Sequence, residues 1–64
     1  MALIKRWTNT KGEAYVEVYY CEVAKLFIAC RWMQVYTAFT KADVLAEVER
    51  WIDGLEDYLI VKSY

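Results

Sequence analysis

Only one stretch of this 64-residue chain carries a helical apolar stripe, and that scarcity limits what the chain can cover. Val44, Leu45, Val48, Trp51, Ile52 and Leu55 recur at steps of three and four, which gathers them on one side of a helix. Thr40 followed by Asp43 resembles a capping box, the Thr hydroxyl accepting a bond from an otherwise unpaired N–H. Gly54 suits the left-handed residue that closes a helix. The spacing predicts a helix over 41–53, with Leu55 leaving room for one further turn.

Upstream the period changes to two. Ala14, Val16, Val18 and Tyr20 alternate with Glu13, Tyr15, Glu17 and Tyr19, the pattern of a strand. Asn9-Thr10-Lys11-Gly12 is the best turn signal in the chain, so residues 2–8 are expected to pair with 13–20 as a hairpin. Residues 25–36 are harder to assign. Leu26, Ala29, Cys30 and Met33 tolerate a helix, yet Glu22, Lys25, Arg31 and Gln34 do not collect on one helical face. Phe27, Ile28, Trp32, Val35 and Tyr36 favour extended structure, and a strand is the reading adopted. Tyr58 to Lys62 reads as a short final strand. The order β-β-β-α-β defines an α+β class: a small antiparallel sheet with one amphipathic helix on one face. No repeat or linker divides it, so 1–64 is a single domain.

A tight turn at Val23-Ala24 sets Tyr20 opposite Phe27 and Val18 opposite Ala29. One face then gathers Val16, Val18, Tyr20, Phe27, Ala29 and Met33; the other gathers Tyr15, Tyr19, Cys21, Leu26, Ile28, Cys30 and Trp32. Both faces are apolar, and a slip of one residue does not change that. One helix roofs one face. A chain below ~70 residues rarely keeps more than ~3–5 kcal/mol from a single core, so association is the expected second cover.

The remaining composition narrows function. Eight Lys and Arg against nine Asp and Glu argue against non-specific nucleic-acid binding, which needs clustered cations. Histidine is absent, which removes the usual triads and most zinc sites. Cys21 and Cys30 have no partner motif and no base, and Ser63 is the only serine. No enzyme, metal or cofactor is expected. Met1-Ala2-Leu3-Ile4 leads into Lys5-Arg6 without a secretory apolar run, so both cysteines are read as free thiols in the cytoplasm. Leu26 to Cys30 is the longest apolar run, too short for a membrane span.

What remains is binding. Tyr15, Tyr19, Trp32 and Tyr36 with Arg31 combine apolar area with polar handles, as interfaces do. Acidity is concentrated in the helix and its end: Glu47, Glu49, Asp53, Glu56 and Asp57 offer a patch suited to a basic groove on another protein. The expected partners are a larger protein and a second copy, with the sheet face for assembly and the acidic helix or a sheet edge for the target. The alternative uses Lys5, Arg6, Trp7 and Arg31 as a basic stacking surface for single-stranded nucleic acid.

Two resemblances attach to Ala38-Phe39-Thr40-Lys41-Ala42-Asp43 leading into Val48 and Trp51. Strands, then aromatic-x-Thr-Lys, then helix resembles the arm-type (AP2-like) DNA-binding domains of phage integrases over residues 13–53, although those sheets are strongly basic. An aromatic sheet with an acidic helix ending Trp51-Ile52-Asp53-Gly54-Leu55 is similar to small phage inhibitors of host defence of the anti-CRISPR type. That likeness implies a non-catalytic protein acting on a host complex, within the host cytoplasm.

Overall fold

The computed structural model describes residues 1–9, 11–52 and 58–63, with backbone alone at 9 and 58–63. Five strands and one helix follow in the order β1 (Ala2–Asn9), β2 (Ala14–Cys21), β3 (Leu26–Arg31), β4 (Gln34–Ala38), α1 (Lys41–Ile52) and β5 (Tyr58–Ser63). They form one antiparallel sheet in the order β4-β3-β2-β1-β5, with α1 packed on one face over β3 and β4. The α+β class and the open sheet with a single helical cover are as the sequence implies.

The first hairpin and the register of the second also follow the pattern of the residues. Gly12 closes the β1–β2 turn with φ +86°, a conformation that costs glycine nothing. Tyr20 pairs with Phe27 and Val18 with Ala29. The stretch 25–36 is extended, but it is two strands and not one. It folds back at Trp32-Met33, with Arg31 opposite Gln34 and Met33 in the left-handed region at φ 64°. Neither residue is a turn former, and a left-handed non-glycine costs on the order of 1 kcal/mol, so no local signal announces the bend. Met33 and Trp32 therefore stand at the turn, on neither of the two faces expected of them.

Two bulges in the β1–β2 pairing adjust the faces. Between Leu3 and Lys5 the register shifts by one residue, and Ile4 joins the core side. Between Val16 and Ala14 the extra residue is Tyr15, which packs against the core. A bulge re-aims a side chain in this way. The expectation that Tyr15 shares a face with Tyr19 is corrected accordingly.

The helix begins where the cap predicts: the Asp43 N–H donates to Thr40 Oγ1 at 3.1 Å, and the Val44 N–H donates to the Thr40 carbonyl at 3.3 Å. Its stripe buries Val44 and Val48 completely against Trp7, Val16, Val18 and Ala29, with Leu45, Trp51 and Ile52 at the margin. The proposed closing residue Gly54 and the extra turn at Leu55 lie outside the described residues. β4 and β5 run in the same direction at opposite edges of the sheet, and α1 lies between them in the chain. No described helix is long and apolar enough to cross a membrane.

Candidate interaction site on the uncovered sheet face

The register fixes which side chains share the face away from α1. Leu3 pairs with Tyr19 and Arg6 with Glu17 across β1 and β2. Glu17, Tyr19 and Cys21 pair with Cys30, Ile28 and Leu26 of β3, and Ile28 and Cys30 pair with Thr37 and Val35 of β4. None of these residues is buried, whereas their neighbours Val16, Val18 and Ala29 on the other face are fully so. Leu3, Tyr19, Cys21, Leu26, Ile28, Cys30 and Val35 make most of this face apolar.

Its polar centre is a small network. The Arg6 Nε donates to Glu17 Oε2 at 2.7 Å, and the Tyr19 hydroxyl donates to Glu17 Oε1 at 2.9 Å. That hydrogen bond to Glu17 raises the Tyr19 pKa, since ionising the phenol would place an anion against a carboxylate. Burial pushes the Cys30 thiol up, with the Glu17 charge adding to the effect, so Cys30 is poorly suited to nucleophilic work. An open hollow of about 290 Å³ lies between Glu17, Cys30, Arg31 and Trp32. A second, of about 480 Å³, lies near Ala2, Tyr20 and Val23. No group of His, Cys, Asp and Glu able to hold a metal ion occurs among the described residues.

The structure separates the residues expected to act together. Arg31 Nη1 donates to the Tyr15 hydroxyl at 2.7 Å and to the Trp51 carbonyl at 3.4 Å. Its guanidinium carbon sits 5.5 Å from both the Tyr15 and Trp51 ring centroids. This cluster fastens the end of α1 to the sheet, and Tyr36 is half-buried against the core on the same side. Tyr19 lies on the uncovered face, and Trp32 projects from the β3–β4 turn with 87% of its area exposed. Glu47 accepts from Trp51 Nε1 at 3.1 Å and pairs with Arg50, while Glu49 is exposed. Asp53, Glu56 and Asp57 lie outside the described residues.

The cations of the alternative reading are divided too. Arg6 is held on the uncovered face by Glu17, while Trp7 is buried on the helix side with the Lys5 ammonium 5.3 Å from its ring. Leu3, Val35 and Thr37 join the uncovered face without having been singled out. Their signal is positional: each is read from a strand pairing, and the sequence pattern runs β4 on from β3 as a single strand.

No protein-family model matches this chain, and no curated protein or solved structure matches it either.

Proposed function

We propose that this protein is a small, non-enzymatic, self-associating binding module that docks on a larger protein or nucleoprotein complex and inhibits or regulates it. The observation that carries the reading is the apolar sheet face opposite α1, on which the described residues of β2, β3 and β4 are exposed or only partly buried. A face four to five strands wide, at about 4.8 Å per strand and about 3.3 Å per residue, offers on the order of 400–500 Å². That is about half of what each side of a standard interface contributes, near 800 Å². The contact therefore extends past the sheet, and exposed Trp32 beside it is the natural anchor. A phage anti-defence protein of the anti-CRISPR kind is the biological setting that such a chemistry-free module suits.

The test is capture from cells of the native host, followed by reconstitution with the purified captured protein. Ile28→Lys, in the middle of the face, is expected to weaken that complex by about tenfold or more. A reconstituted complex indifferent to both Ile28→Lys and Trp32→Glu overturns the assignment.

A further inference from the structure

We infer that two copies of this chain join through the free edge of β4, antiparallel about a two-fold axis at Tyr36, to make one continuous sheet. The inference rests on the self-associating part of the proposed function. It moves assembly from the sheet face, where the sequence suggested it, to the sheet edge.

The backbone supplies the first reason. Arg31 and Gln34 flank a two-residue turn and so form the close, doubly hydrogen-bonded pair of a hairpin. Alternation then directs the N–H and C=O groups of Tyr36 and Ala38 toward β3, and those of Val35 and Thr37 away from it. Because β4 is at the end of the sheet, these outward groups face no described strand of their own chain. A second β4, antiparallel and centred on Tyr36, sets Val35 opposite Thr37 of the other copy twice over. The outward groups of both strands are then paired.

Natural edges are guarded by lysine, proline or bulges. The edge strand β5 contains Lys62, but β4 has no such guard, and the chain from Trp32 to Thr40 carries no charge at all. No like charges on the strand itself oppose the pairing.

The side chains supply a reason specific to a second copy. Four of the large apolar residues that the structure leaves most exposed cluster here: Trp32 at 87%, Met33 at 84%, Phe39 at 78% and Val35 at 69%. Trp32 and Met33 stand at one end of β4 and Phe39 at the other. Antiparallel pairing about Tyr36 brings Met33 beside Phe39 of the other copy at both ends, so each exposed group meets an exposed group. With α1 packed over β3 and β4, the two-fold axis sets both helices on the same side of the joined sheet.

The experiment uses a 64-residue chain made by chemical synthesis with an N-methyl group on Val35, which removes one outward donor and no intrachain bond. Sedimentation at matched concentrations is expected to give the mass of two chains for the wild type and for Ile28→Lys, and of one chain for N-methyl-Val35. Val35→Lys, which restores an edge guard, is expected to be monomeric too and serves if the methylated chain loses its far-ultraviolet circular dichroism. Hydrogen exchange at the Val35 and Thr37 amides is expected to slow as wild-type concentration rises. An N-methylated chain that keeps the two-chain mass overturns the edge while leaving self-association standing. A wild type that remains a single chain at the highest soluble concentration overturns both.

Discussion

The two faces of one sheet meet opposite fates although they are built from adjacent residues of the same strands. Val18 and Ala29 are fully buried beneath α1; Tyr19 and Ile28, one step along, are only partly buried. Both sets are apolar, so apolarity does not decide burial here. Supply of cover does: twelve helical residues roof part of one side. The covered face supports folding, and its opposite is the surface proposed for recognition.

The sharpest way to break this comparison is to place a charge on each side. Val18→Asp strands an ion among Val16, Ala29 and Val48 and is expected to cost more than about 4 kcal/mol, enough to unfold a domain of this size. Ile28→Lys, on a cross-strand neighbour of Tyr19, is expected to change stability by less than about 1 kcal/mol. Urea unfolding of both variants measures the contrast, and equal losses would erase the distinction between the faces.

A smaller effect sharpens how the cover is held. Arg31→Lys keeps the charge but loses the planar group that lies over the Tyr15 and Trp51 rings and bonds the Tyr15 hydroxyl. The expected cost is about 1–2 kcal/mol. Hydrogen exchange should then rise at the end of α1 and leave β3 amides unchanged.

The smallest effect belongs to the uncovered face. Tyr19 has its folded pKa raised above the usual 10.0 by its bond to Glu17. The contribution of that protonated phenol to stability is present in full below the unfolded value and is lost as pH rises through the folded one. Stability is therefore expected to decline above pH 10, and Glu17→Gln to bring the Tyr19 titration down, as read from its ring resonances by NMR.

Much of the architecture was legible locally. The stripe from Val44 to Ile52, the Thr40 cap and the alternation of 13–20 each repeat a period that the backbone itself imposes, so helix and strand could be read directly. The hairpin at Gly12 was legible for the same reason. The bend at Trp32-Met33 was not, because its left-handed residue is a methionine held in place by the pairing of β3 with β4. Missing that bend concealed β4, and with β4 the edge and the exposed apolar cluster around it.

The residues proposed for binding divide along the same line. Residue type alone marks Tyr19 and Trp32 as surface aromatics, but Tyr15, Arg31 and Tyr36, which share that residue chemistry, serve the helix side. The bulge at Tyr15 is set by how β1 pairs with β2, and a slip of one residue reverses a side chain's direction.

The sequence by itself determined one amphipathic helical stripe, a strand alternation and more apolar surface than that stripe can roof, since periodicity and composition are properties of residues taken in order. Only the tertiary structure decided where the sheet ends, which aromatic and cationic groups fasten the helix, and which stand outside. Those outcomes depend on pairings between segments far apart in the chain, where a bulge or an unforeseen turn re-aims every side chain beyond it.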